Sequence, residues 1–287
     1  MDVAVGLPAT IPGVERDQLL EWARRAEARG FSSLGTLDRV VYPNYEPLIA
    51  LAAAAAVTER IRLMTAILIA PYRVNAALVA KQGATLHHLS GGRLTLGVAV
   101  GRREDDYAAS DVDFHTRGKA FDKMLATWKR VWDGDSFGTA GGIGPELPQG
   151  RPGLLMGGTA DVAYARAAEY GDGWIMGGGT PDMLREGAEK TRAAWRAAGR
   201  DDEPRIAALS YFALGEGARE AADGYLRHYY EWLGEYADMI ASSAAVDAET
   251  VKQYVAGFEA AGCDELIMFP SSSDPDQVDL LADAVFS

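Results

Sequence analysis

Two apolar runs in the second half of the chain end in glycine, LLMGG at Gly157-Gly158 and GWIMGGG at Gly177 to Gly179. A strand that stops in glycine leaves its backbone N–H groups bare, and bare amides beside a helix N-terminus hold phosphate. Gly157, Gly158 and Thr159 leave one run and enter a helix-like segment, DVAYARAAEY. Gly177 and Gly178 leave the very next run, so a barrel would set the two turns side by side. Two readings stand at each turn: a phosphate cradle, or a tight strand-to-helix turn that needs glycine for its geometry. Other chemistries find no anchor. The four histidines, His87, His88, His115 and His228, lack metal-ligand spacing, and Cys263 is the only cysteine. No metal site and no disulfide is expected, and Cys263 reads as a buried, inert thiol. Neither a Gly-x-Ser-x-Gly nucleophile turn nor a Walker phosphate loop occurs.

The elements that must position these turns follow from alternation. Eight short apolar runs begin at Val3, Ser32, Ile61, Arg93, Gly153, Gly173, Arg205 and Asp264, and each leads to a helical pattern. Repeated strand–helix units of this kind build a parallel sheet. Helices are predicted over Val14–Arg29, Glu46–Thr58, Asn75–Leu89, Thr116–Trp132, Thr159–Tyr170, Pro181–Ala198, a long Glu216–Ala261 region and Asp276–Val285. In the first, Leu19, Leu20, Ala23 and Ala26 form one stripe, and Gly30 follows as the stop signal. The Ala52–Ala56 run in the second permits very close packing. Eight strands in one α/β chain of 287 residues predict a (β/α)8 TIM barrel, a single domain over 1–287. The Gly- and Pro-rich stretch 134–152 reads as a connection between barrel halves. The Tyr- and Trp-rich stretch 218–245 reads as a helical excursion over one barrel mouth or a packing surface for a partner.

A net charge of −13 argues against nucleic acid or an anionic membrane as partner, since both need a positive field. No run of about 18 apolar residues is present, and MDVAVGLPAT lacks the basic start of a secretory signal. The expected location is the cytoplasm.

The run YEPLIALAAAAAVTERIRLMTAILIAPYRVNAALVAKQGATLHHLSGGRLTLGVAVG, with the later LLMGGTADVAYARAAEYGDGWIMGG, resembles the luciferase-like flavin-dependent oxidoreductases. That family includes bacterial luciferase and enzymes using the deazaflavin coenzyme F-420. The resemblance implies a barrel binding flavin or deazaflavin at the strand C-terminal ends, with its phosphate on Gly157, Gly158, Thr159 and the Gly177-Gly178 turn. It implies a non-proline cis peptide at Ala66-Ile67, forming a bulge behind the central ring of the cofactor, against the alternative of an ordinary trans strand end. It also implies a homodimer through the helices starting near Glu46 and Asn75.

The chain departs from the family at three polar positions. Where relatives commonly carry an acid followed by His, this chain has Asp38-Arg39. Arginine stays protonated, so Arg39 reads as a stabiliser of an anionic ring or substrate, with Asp38 orienting it or touching the cofactor; a surface ion pair is the other reading. Val100, next to Gly101, stands where relatives carry Thr or Arg. Arg102 stands where some deazaflavin enzymes carry Glu, which excludes the sugar-phosphate dehydrogenase branch. Arg102 and Arg103 read either as cations for a phosphate or acidic tail, or as a solvated loop neutralised by Glu104, Asp105 and Asp106. Arg73 and Arg151 are two further candidate rim cations.

Three functions follow from the resemblance. In the first, reduced FMN, supplied by a separate flavin reductase, lets the protein oxygenate a small organic substrate. In the second, the deazaflavin transfers hydride. The third is flavin binding without turnover. The acidic surface favours FMN over a polyanionic deazaflavin tail. Tyr42, Tyr45, Tyr72, Tyr107 and Trp174 are the aromatic residues expected to shape the substrate pocket.

Overall fold

All eight apolar runs form strands: β1 (Asp2–Gly6), β2 (Ser33–Thr36), β3 (Arg62–Ile69), β4 (Leu94–Ala99), β5 (Gly153–Gly157), β6 (Gly173–Met176), β7 (Arg205–Phe212) and β8 (Glu265–Pro270). Each pairs in parallel with the next, and β8 pairs with β1 to close the barrel. The protein is therefore a (β/α)8 barrel. The computed structural model describes residues 1–139 and 141–287; Ala140, inside the Gly/Pro-rich connection, lies outside the described residues. Parallel strands are covered on both faces, which is why these runs are almost continuously apolar and buried.

The outer layer holds α1 (Arg16–Ala28), α2 (Pro47–Ala55), α3 (Ala76–Leu89), α4 (Glu104–Ala109), α5 (Arg117–Trp132), α6 (Asp161–Tyr170), α7 (Pro181–Ala197), α8 (Ala218–Tyr229), α9 (Glu235–Ser242), α10 (Ala248–Ala260) and α11 (Asp276–Phe286). Local chemistry starts them. Glu15 and Gln18 form a capping box on α1, and the Glu46 carboxylate accepts from Ile49 N at 2.8 Å ahead of Pro47. The stripe that α1 buries is Leu19, Trp22, Ala23 and Ala26, so Trp22 takes the place expected for Leu20. The long Glu216–Ala261 region is three helices, α8 to α10, with Gly234 (φ +58°) between the first two. The helix α4 lies where a charged loop was expected.

Inside the barrel, bulk from one strand fills space left by glycine on another. A Cβ on Gly6 would fall 2.2 Å from Phe269 Cδ1, so β1 must stay bare where the Phe269 ring sits. The opposite, N-terminal end is closed by charge. Glu265 is fully buried and accepts from Ser32 Oγ (2.5 Å), Ser33 Oγ (2.6 Å), Arg62 Nη2 (3.0 Å) and Arg205 Nη2. Cys263 is buried nearby in sequence, and burial pushes its thiol up to about 12.

Candidate active site

A cavity of about 580 Å³ opens among the loops that follow β2, β4, β5 and β6. It lies at the C-terminal ends of the strands, where barrel enzymes place their chemistry. The candidate catalytic and cofactor-binding residues line it: Asp38, Arg39, Ala66, Ile67, Val100, Gly101, Arg102, the Gly157–Thr159 turn, Gly177 and Gly178.

One side of the cavity is bare backbone. Gly158 has φ +121° and Gly178 has φ +101°, conformations that side chains rarely adopt. The tight-turn reading holds at Gly158 and Gly178, and both turns lie at the cavity wall. Trp174 on β6 donates its indole N–H to Gly158 O at 2.8 Å, which ties the second strand to the first turn. Ile67 reaches between them, since a Cβ on Gly157 would lie 2.7 Å from Ile67 Cδ1 and one on Gly177 3.4 Å from it. The Ala66-Ile67 peptide is cis, and the β3–β4 register shifts between Thr65 and Leu68.

Two arginines invisible as site residues in the sequence stand at the same cavity, Arg117 and Arg166. Arg166 is buried, donates to Asp122 Oδ1 at 2.6 Å and to Gly118 O at 3.0 Å, and so carries its own counter-charge. Arg117 has no carboxylate partner among the described residues. Its Nη1 donates to Phe114 O at 2.8 Å, its guanidinium lies 3.6 Å from the Phe114 ring centroid, and its Nε is buried without a partner. A regular helix pattern over Thr116–Trp132 gave no reason to single out Arg117.

Asp38 and Arg39 are both buried, and they do not pair with one another. Asp38 accepts from Arg73 Nη2 at 3.0 Å and from Ile69 N at 2.8 Å. Burial pushes its carboxyl upward, opposed by Arg73 and by the Ile69 N–H. Arg39 donates through Nε to Asp106 Oδ2 at 3.1 Å and through Nη2 to Val41 O at 2.7 Å. The surface ion pair and the orienting role of Asp38 toward Arg39 are both corrected here. Their partners come from elements distant in sequence: Arg73 follows β3, and Asp106 belongs to α4. Asp106 Oδ1 also accepts from Val40 N and Val41 N, at 3.1 and 2.7 Å, so α4 holds the loop after β2.

The rim cations divide. Arg73 is consumed by Asp38 and Glu46 (2.7 Å), and Arg151 pairs with Asp172 at 2.7 Å at the start of β5, away from the cavity end. Arg103 pairs with Asp105 and lies 5.0 Å from the Trp232 ring centroid. Arg102 is exposed at the cavity with no ion-pair partner among the described residues.

The excursion after β7 supplies Tyr229, Tyr230 and Trp232 to the cavity. Of the aromatic residues picked from the sequence, Tyr72, Tyr107 and Trp174 line it. Tyr42 packs edge-on against Tyr229 with centroids 5.0 Å apart, and Tyr45 donates to Val14 O at 3.0 Å; neither lines the cavity. Among the described residues, no group of acids, histidines and cysteine is arranged to hold a metal ion, and no helix is long and apolar enough to cross a membrane.

A closed parallel barrel with a cavity at its C-terminal mouth, lined by glycine turns, arginines and aromatic rings, defines a (β/α)8 protein. The family model for luciferase-like monooxygenases matches residues 2–278, so the chain belongs to that family of oxidoreductases. An uncharacterised protein of Mycobacterium tuberculosis is 35% identical over 192 residues, a match covering 56% of this chain and 66% of the relative, just under two thirds of its length. Among solved structures, the monooxygenase RslO1 from Streptomyces bottropensis superposes with a TM-score of 0.79 at 20% identity, covering 100% of this chain and 99% of that one. The coenzyme F420 dependent tetrahydromethanopterin reductase from Methanopyrus kandleri superposes with a TM-score of 0.80 at 19% identity, with the same coverage. At these identities the two structures share the fold with this chain.

Proposed function

We propose that the protein is an FMN-dependent monooxygenase that acts, with reduced FMN from a separate reductase, on a small organic substrate. The observation that carries this reading is the convergence, in one cavity, of two glycine turns and an arginine without a carboxylate partner, Arg117. A single terminal phosphate fits that arrangement. Bare amides at Gly157 to Thr159 and Gly177-Gly178 would take its oxygens, and the orphaned Arg117 guanidinium would balance its charge. Ala66 and Ile67 would back the ring, and Tyr229, Tyr230 and Trp232 would keep water out of the mouth. When bound, reduced FMN supplies the electrons that activate oxygen; the chain's residues hold it, orient it and shield it. Arg39, fixed by Asp106, would stabilise negative charge rather than move a proton.

A second reading, hydride transfer from reduced deazaflavin, is favoured by one observation, the exposed Arg102 at the cavity rim beside Arg103. Such a pair suits an acidic tail. Anaerobic equilibrium binding of both reduced cofactors at two ionic strengths separates the readings. Tighter binding of reduced FMN is the expected result. A dissociation constant for the deazaflavin about tenfold or more below that of FMN, weakening steeply with salt, reverses the assignment.

The same reading includes a homodimer in the cytoplasm. On α2, Ile49 is 71% exposed; Val74, just before α3, and Leu78, in its first turn, are 69% and 50% exposed. With Ala52 and Ala56 also exposed on α2, the two helices present an apolar face with little side-chain bulk. Light scattering at micromolar concentration should give twice the 30.7 kDa of one chain, and Ile49→Asp should give one. A wild-type monomer counts against this face.

A further inference from the structure

We propose that Arg39 Nη1 and the Tyr229 hydroxyl form a two-donor subsite for the carbonyl or phenolate oxygen of an aromatic substrate. The proposal names the substrate class of the cavity described above and rests on reading that cavity as an oxidoreductase site.

Two polar groups at this end of the cavity lack what their neighbours have. Arg39 is only 8% exposed, its Nε and Nη2 are bonded to Asp106 and Val41, and its Nη1 is buried with no partner. A buried donor left unpaired is costly, and native proteins keep few of them without a use. Tyr229 also carries a hydroxyl without a partner, one that is not sealed off as Arg39 Nη1 is. Around it, the hydroxyl of Tyr225 meets Thr10 Oγ1 at 2.6 Å, that of Tyr230 meets Tyr211 at 2.6 Å, and that of Tyr42 meets His228 Nδ1 at 2.8 Å. The Tyr229 hydroxyl makes no hydrogen bond among the described residues, and it belongs to a side chain that lines the cavity. Burial pushes its phenol well above the ordinary range, so it keeps the proton it would donate.

The two side chains are neighbours. The Arg39 guanidinium carbon lies 5.6 Å from the Tyr229 ring centroid and 5.3 Å from that of Tyr42. One oxygen atom with two lone pairs can accept from a guanidinium N–H and a phenol O–H, as an oxyanion does. The surroundings choose what carries that oxygen. Tyr230 stands edge-on to Tyr229 at 4.9 Å, and Leu37, Leu209 and Ile67 complete an apolar wall. Rings and aliphatic groups in this arrangement favour a flat aromatic body over a sugar or a peptide.

The subsite is tested by binding, with para-nitrophenol as the probe and nitrobenzene as its analogue without the oxygen. Wild type, Tyr229→Phe and Arg39→Gln are titrated with each, and the same samples are titrated with FMN. Wild type should bind para-nitrophenol about tenfold tighter than nitrobenzene, and both variants should lose that preference while keeping their affinity for nitrobenzene. Tyr229→Phe removes one hydroxyl from a packed ring, so it serves even if Arg39→Gln, which strips the partner from buried Asp106, fails to fold. Equal affinity of wild type for the two probes, or a preference that survives Tyr229→Phe, overturns the subsite; the former would mean that Arg39 Nη1 is satisfied by the faces of the Tyr42 and Tyr229 rings. FMN binding without the probe preference refutes the subsite alone. The preference without FMN binding supports the subsite and refutes the cofactor assignment.

Discussion

Replacing Arg117 by alanine is expected to raise the dissociation constant for reduced FMN about tenfold or more and to leave that for reduced riboflavin unchanged. A charge-assisted hydrogen bond to phosphate contributes about 1.5 to 3 kcal/mol, and 1.4 kcal/mol is tenfold in affinity. The expectation falls on Arg117 because Arg166, at the same cavity, is already neutralised by Asp122 at 2.6 Å, whereas Arg117 has only the Phe114 carbonyl and ring as partners. Riboflavin has the same ring without the phosphate, so it separates loss of a phosphate contact from a general collapse of the cavity. Equal weakening of both ligands, or of neither, would falsify the assignment of Arg117 to the phosphate. The Arg117→Ala protein should keep the wild-type circular dichroism, because the residue sits at the start of α5 with no buried ion pair to break.

At the other end of the barrel the expected effect is on folding. Glu265→Ala removes a fully buried carboxylate, opens a void and leaves the Ser32 and Ser33 hydroxyls without their acceptor, while Arg62 keeps Asp2 at 2.6 Å and both arginines reach solvent. The void and the unpaired hydroxyls together cost about 3 kcal/mol. For a chain of this size that lowers Tm by roughly 5 °C, read by thermal denaturation followed by circular dichroism. A Tm within about 2 °C of wild type would show that the cluster is hydrated or compensated. At temperatures where the variant is folded, FMN affinity should match wild type, since Glu265 closes the N-terminal end and the cavity lies at the C-terminal one.

The two expectations differ in how readable their residues were. The barrel was legible because each strand carries its own signal: runs such as IRLMTAILI and RLTLGVAV are apolar throughout, as strands covered on both faces must be. The glycine turns were legible for the same local reason, since only glycine suits the backbone at Gly158 and Gly178. Partners were not. Asp106 looked like part of a charged loop because Glu104, Asp105 and Asp106 are consecutive acids; in the fold Asp106 turns inward and is 2% exposed while Glu104 faces solvent. Its contact with Arg39 spans 67 positions, a distance at which spacing carries no information. Arg117 was passed over for a related reason: a cation at the first position of an amphipathic helix is ordinary until a cavity is seen beside it. The conformation at Gly158 also limits what a substitution there can reveal, because any side chain at φ +121° is strained whether or not a ligand is present.

The grip of Asp106 on Arg39, Val40 and Val41 has a consequence for recombining this protein with its relatives. The loop after β2 and the short helix after β4 hold each other by three contacts from one carboxylate, although they lie in separate strand–helix units. They are therefore one unit of exchange. A chimaera that grafts the β2 loop from another barrel while keeping α4 would confront a buried aspartate with a backbone it does not fit, and grafting both together preserves the match.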